Sequence, residues 1–218
     1  MIKKKLVIFI FPMLFLFSAF LINYYNSEVY FRLFGIFETG FFEWIQFLCY
    51  GLAFFIGIKA YTLYKKNSQK IIQKYILLFF AIGCAFIALE EISYGQHIFK
   101  WETPELIKNI NQQGEINFHN LVIMQGNNIQ EIAFVLVGYF GGLSWIFLGK
   151  TLNYSKTNPV LSEWYLSLYF LPVSIFYTQK IWILHWGNNH QELFETILSF
   201  GFLGISLINL RRFKKAIK

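Results

Sequence analysis

From Ala88 to Leu121 the chain reads ALEEISYGQHIFKWETPELIKNINQQGEINFHNL, an apolar run that ends in two adjacent glutamates and gives way to a long polar passage. An ionised Glu at the edge of hydrocarbon costs several kcal/mol unless it is paired, hydrated or hydrogen-bonded, so Glu90 and Glu91 need partners. The same stretch offers candidates. If the helix continues past Glu90, Ser93 and His97 follow at i+3 and i+7 and share its face, aligning carboxylate, hydroxyl and imidazole. Further on, Glu115, Asn117 and His119 alternate with Ile116 and Phe118, and an extended backbone would put the three polar groups on one side. Gln96 and Asn120 flank these groups and join them as candidate binding residues.

Outward from this stretch the chain is apolar. Of 218 residues, 56 % are hydrophobic and 21 % aromatic, more than a soluble chain of this length could bury. Runs close to the roughly 20 residues that cross a hydrocarbon core occur at 6–22, 41–63, 72–92, 132–148, 164–186 and 193–210. The expected fold is therefore all-α, one polytopic bundle of about six transmembrane helices spanning 1–218 as a single integral membrane domain. Lys3, Lys4 and Lys5 precede the first run as they would in a signal peptide, but no small-residue cleavage site follows, so it reads as a retained helix. Cys49 and Cys84 fall mid-helix with no paired spacing, and read as small buried side chains.

The formal charge of +7 is distributed unevenly along the chain. Six helices put both termini on one side, with the loops carrying Lys65, Lys66, Lys70, Lys74, Lys150 and Lys156 and the tail RRFKKAIK. The opposite side has only Arg32, Lys100 and Lys108. That asymmetry places both termini in the cytoplasm and the passage 94–130 outside, and it argues against a nucleic-acid partner. Within that outer loop Thr103 is a candidate N-cap, with Pro104 at the first helical position and Glu105 in the first turn of a short surface helix. The stretch from Ser27 to Gly40, too short and too charged to span, reads as a second short interfacial helix with a Ser27 cap. Trp44, Trp101, Trp182 and Trp186 read as interface-belt aromatics.

Glu43, Glu90, Glu91, Glu131, Glu192 and Glu195 mark the outer ends of four helices, which a bundle brings together. Thr39, Glu43, Gln46 and Tyr50 form a polar stripe that should face protein. Pro172 should kink the fifth helix. Lys180 in that helix would have to reach against its Cα–Cβ tilt to leave the bundle, so it should pair with a bundle carboxylate. His185 belongs to the tight connection HWGNNH that follows. Two chemistries suit this composition: a divalent metal held by Glu90, Glu91 and His119, or metal-free acid–base work by Glu90, Glu91, His119 and Glu195. Glu43, Ser93, Gln96, His97, Glu115, Asn117, Asn120, Lys180, His185 and Glu192 are the candidate binding groups around them. The expected partners are membrane lipids, with a lipid or lipid-linked substrate for an enzyme; a proton- or cation-coupled transporter and a non-catalytic envelope scaffold are the alternatives.

The segments EEISYGQHIF and NQQGEINFHNL resemble an uncharacterised family of small bacterial multi-pass membrane proteins with the pattern EExS[WY]GQ followed by E-x-N-x-H-N. The matching positions are Glu90, Glu91, Ser93, Tyr94, Gly95, Gln96, Glu115, Asn117, His119 and Asn120. That resemblance implies a membrane bundle and no particular reaction. A second likeness is to the CAAX-processing and bacteriocin-protection membrane proteases, whose paired Glu, His and HxxxN follow the order of Glu90 and Glu91, His119, and His185 with Asn189. Gly95 stands where their EExxxR has Arg, and Glu115 where their FxxxH has Phe.

Overall fold

The computed structural model describes residues 2–34, 40–67, 71–151, 162–182 and 190–216. Its elements are α1 (Ile2–Tyr25), α2 (Ser27–Phe34), α3 (Phe41–Asn67), α4 (Ile71–Glu91), α5 (Gln96–Phe99), α6 (Glu105–Lys108), α7 (Val122–Gly126), α8 (Ile129–Thr151), α9 (Leu171–Trp182) and α10 (Gln191–Ala216). Short 3-10 segments stand at Ser93–Gly95 and Trp164–Tyr169. No strand occurs among the described residues, and the single bridge joins Asn111 to Leu121. The molecule is an all-α bundle.

Among the described residues, five helices are long and apolar enough to cross a membrane: Lys3–Tyr25, Phe41–Lys66, Ile71–Glu91, Ile129–Phe147 and Gln191–Lys214. They keep large apolar side chains such as Val7, Phe17, Phe55 and Phe79 exposed, a pattern costly in water and ordinary in lipid. The protein is a membrane protein. The expected span 164–186 is not one continuous helix. It is a 3-10 turn, a break at Phe170 and then the short α9. Pro172 has no N–H to give to an upstream carbonyl, so it sits in the first turn of α9, where none is needed. Ser167 ties the 3-10 turn to α8: its hydroxyl donates to the Gly142 carbonyl at 2.8 Å and accepts from Trp145 Nε1 at 2.8 Å.

Close packing locates these pieces. A methyl group at Gly141 would lie 2.4 Å from the Phe170 ring, and one at Gly201 would lie 2.8 Å from it, so α8 and α10 accept that ring only because both positions lack a side chain. α3 runs between α4 and α10, while α1 lies over α2 and the 3-10 turn. Aromatic side chains fill the contact, with Phe34 stacked on Phe42 at 4.2 Å and Phe176 on Phe194 at 4.2 Å. Gln46 and Tyr50 are fully buried, so the polar stripe of α3 faces protein; Thr39 lies outside the described residues. Of the short helix expected over 27–40, α2 forms over Ser27–Phe34, residues 35–39 lying outside the described ones, and Asn26 caps it in place of Ser27, its Oδ1 accepting the Val29 N–H at 3.1 Å.

Candidate functional site

The chain turns sharply where α4 ends. Ser93, Tyr94 and Gly95 have φ of 44°, 55° and 85°, three consecutive left-handed residues, two of which carry side chains that disfavour that region by about 1 to 2 kcal/mol each. Ser93 and His97 therefore do not extend the face of α4. The Ser93 hydroxyl instead donates to Glu115 Oε2, while Asn117 Nδ2 donates to Ser93 Oγ at 3.0 Å and to Glu115 Oε2 at 2.8 Å. These bonds hold the strained turn in place. His97 stands in α5, and its side chain lies outside the described ones.

The passage from Ile110 to Val122 doubles back on itself, with Gln112 N donating to Asn120 O at 2.8 Å and Val122 N to Ile110 O at 2.9 Å. Asn111 closes the tip: its Nδ2 reaches Asn117 O and Oδ1 at 2.9 Å each, and its Oδ1 accepts from Gln113 N and Glu115 N. Gln96 Oε1 accepts from Ile116 N at 2.7 Å, and Gln96 Nε2 donates to Thr103 Oγ1 at 2.7 Å. Thr103 is thus not a helix cap. Its hydroxyl donates to Gly114 O at 2.6 Å, and Pro104 occupies the cap position of α6. Asn120 Nδ2 donates to Gln113 Oε1. Glu115 and Asn117 do converge, as alternation implied, but through bends and not through a strand.

One carboxylate joins this hook to the bundle. Glu90 Oε2 accepts the backbone N–H groups of Phe118 at 2.8 Å and His119 at 3.0 Å, and lies 3.2 Å from His119 Nδ1. An oxygen that already accepts two backbone hydrogens is an acceptor toward the ring as well, so Nδ1 carries the imidazole hydrogen and Nε2 becomes the proton-exchanging nitrogen. The Tyr94 phenol is pushed above its usual range by burial and by the Glu90 charge beside it.

Beneath the hook lies a cavity of about 400 Å³, walled by α3, α4, α8 and α10. It gathers Glu43, Glu90, Glu91, Ser93, Glu115, Asn117, His119, Asn120, Glu192 and Glu195 among apolar groups that include Phe86, Phe134 and Phe202. The helix termini explain the crowding. Glu43 closes the start of α3, its Oε2 accepting from Gly40 N at 2.9 Å, and Glu192 and Glu195 occupy the first two turns of α10. Glu192 Oε2 accepts from Gln46 Nε2 at 2.9 Å, and Glu195 Oε1 from the Tyr177 hydroxyl and from Gln191 Nε2. Lys180 pairs with Glu131 at 3.2 Å and with Gln191 Oε1 at 3.1 Å. Neither Lys180 nor Glu131 lines the cavity; Gln191, which Lys180 also touches, does.

The candidate metal ligands do not form a ligand set. Among the described residues, no three His, Cys, Asp or Glu side chains converge as a metal site, and Glu90 Oε2 accepts the N–H groups of 118 and 119. His185 and Asn189 lie outside the described residues, so the protease-like order is placed only at Glu90, Glu91 and His119. Tyr177, Gln191 and Glu131, which hold Glu195 and Lys180, were not singled out as site residues by the sequence. Nothing distinguishes Tyr177 from the other aromatic residues until its partner is known. Compared with family models, curated proteins and solved structures, the chain matches none.

Proposed function

We propose that this is an integral protein of a bacterial cytoplasmic membrane, both termini cytoplasmic and the cavity facing outward, that performs acid–base chemistry on a lipid or lipid-linked substrate. The Lys/Arg asymmetry supports the orientation. The chemistry rests on one observation, the Glu90–His119 pair in the wall of a cavity whose lining combines several carboxylates with aromatic and aliphatic groups. In a hydrolysis His119 takes a proton from water as the water oxygen bonds to the substrate's acyl carbon or phosphorus, and returns it to the departing oxygen. Glu90 holds the ring and its tautomer, and Glu91, Glu192 and Glu195 bind and orient the polar head. The likeness to the EExS[WY]GQ family belongs to the same proposal, since its shared positions are those that build the hook and the pair.

The test is reconstitution of wild-type, His119→Gln and Glu195→Gln protein into liposomes of total bacterial polar lipid, followed by mass spectrometry of the lipids. The expected result is a lipid product formed by wild-type and lost with His119→Gln. Unchanged lipids with a well-folded wild-type protein would end the enzyme reading. A proton- or cation-coupled transporter is the second reading, favoured by the buried polar file Glu195, Thr196, Ser199, Ser206 and Asn209 along α10. Tyr50, Leu198 and Phe202 line the cavity between α3 and α10, and beyond them the Ser206 hydroxyl donates to the Ala53 carbonyl at 2.8 Å, so a path would require α3 and α10 to separate.

A further inference from the structure

The hook that covers the cavity has its polarity reversed. Its interior is polar, with Ser93, Asn111, Glu115, Asn117 and Asn120 buried and Asn117 only 4 % exposed. Its exterior is apolar, with Ile98, Phe99, Trp101, Leu106, Ile110 and Ile123 exposed and Leu106 84 % so. A loop in water would be arranged the other way, since exposed apolar groups gain nothing there and buried amides are costly unless fully bonded.

We infer that the segment from α5 to α7 is bedded in the lipid headgroup and upper acyl region, as an interfacial cap whose partner is the bilayer itself. Three observations favour lipid over a protein partner. The apolar exterior continues the apolar surface of the bundle: Phe118 and Phe86 of α4, which also line the cavity, lie with ring centroids 6.1 Å apart, and both are exposed. Phe99 and Trp101 stack at 5.0 Å, presenting a flat aromatic pair with an indole N–H of the kind that settles at headgroup level. Exposed Lys100 and Lys108 are offset by exposed Glu102 and Glu105, so the segment presents no single-signed face of the kind a charged protein partner would select. The hydrogen-bonded hook explains how the backbone tolerates that depth, because its polar groups are directed inward. This inference does not depend on the acid–base reading or on which leaflet the cap occupies.

Wild-type protein in phosphatidylcholine/phosphatidylglycerol nanodiscs, photolabelled with a phospholipid carrying a diazirine in its upper acyl chain, tests it without mutation. Adducts within 98–110 at a yield comparable to α1 are expected, and adducts confined to the long helices would overturn it. As a second measurement, Leu106→Cys in a Cys49→Ala, Cys84→Ala background is labelled with an environment-sensitive fluorophore, with Lys66→Cys as the reference. The label at 106 should shift to the blue and be quenched by nitroxide lipids, while that at 66 is quenched by aqueous iodide. Iodide quenching at 106 equal to that at 66 overturns the inference, and so does shielding from both quenchers with chain-to-chain crosslinking, which would make the surface a contact between copies.

Discussion

Glu90 and His119 meet twice, through the His119 backbone N–H at 3.0 Å and through its Nδ1 at 3.2 Å, both on Glu90 Oε2. The first contact is architectural and the second is available to chemistry, so substitutions can separate them. Glu90→Ala leaves two buried backbone donors without an acceptor and should cost about 2 to 4 kcal/mol. Glu90→Gln keeps an acceptor oxygen and should lose much less. Thermal unfolding in detergent, with hydrogen exchange at Phe118 and His119, reads the difference. Equal behaviour of the two variants would mean that the hook is not held by this carboxylate.

Lys180 and Glu131 form a second separable pair, with side chains only 14 % and 10 % exposed. Removing one partner strands a charge, whereas removing both removes the liability as well. Lys180→Met should destabilise by roughly 3 to 5 kcal/mol, and Lys180→Met with Glu131→Gln should recover a substantial part of that loss. The measurement is a double-mutant cycle on unfolding in detergent. A single variant within about 1 kcal/mol of wild type would show that the pair is effectively solvated.

The sequence carried the five continuous spans and the gathering of Glu43, Glu90, Glu91, Glu192 and Glu195, because hydropathy and helix-end position are local properties. It did not carry the break at Phe170. Pro172 announces a disturbance, but the form it takes depends on Gly141 and Gly201, which are remote in sequence and adjacent in space. Ser93 was misplaced for a similar reason. Helical spacing put it on the face of α4, whereas its hydrogen bond to Glu115, twenty-two residues on, stabilises a left-handed turn that no propensity favours. Lys180 was legible in kind, as a cation needing a carboxylate, but not in identity, since Glu131 is on another helix.

The Tyr30 hydroxyl lies 2.6 Å from His190 Nδ1, and burial holds the His190 imidazole below its usual range. A base with a depressed folded pKa contributes stability above its unfolded value of about 6.5, lost as the unfolded chain takes up the proton first. Wild-type protein should therefore lose thermal stability as pH falls below that value, down to the folded pKa, and level off there in this contribution. His190→Gln should flatten that part of the profile, while Tyr30→Phe should lower the plateau at neutral pH. Parallel wild-type and His190→Gln profiles between pH 8 and 5 would show that other groups govern the acid limb.

Glycines differ in what stands opposite them, which yields a contrast between α8 and α4. At Gly138 an added methyl would lie 2.7 Å from the Ser174 side chain, 2.8 Å from its backbone nitrogen and 2.9 Å from the Phe170 carbonyl oxygen. Two of those atoms are backbone, so no rotamer change relieves the clash, and α8 must move away from the start of α9. That motion also loosens the Phe170 ring between Gly141 and Gly201. Gly83 on α4 has nothing within 4 Å of such a methyl. Gly138→Ala should therefore destabilise by about 1 to 3 kcal/mol, the usual range for overpacking, or prevent accumulation of folded protein. Gly83→Ala should be neutral or stabilise by up to about 1 kcal/mol through helix propensity. Size-exclusion profiles and unfolding temperatures of the two variants, purified in parallel, decide it; a stable Gly138→Ala protein would mean that α8 and α9 are not packed as closely as these contacts require.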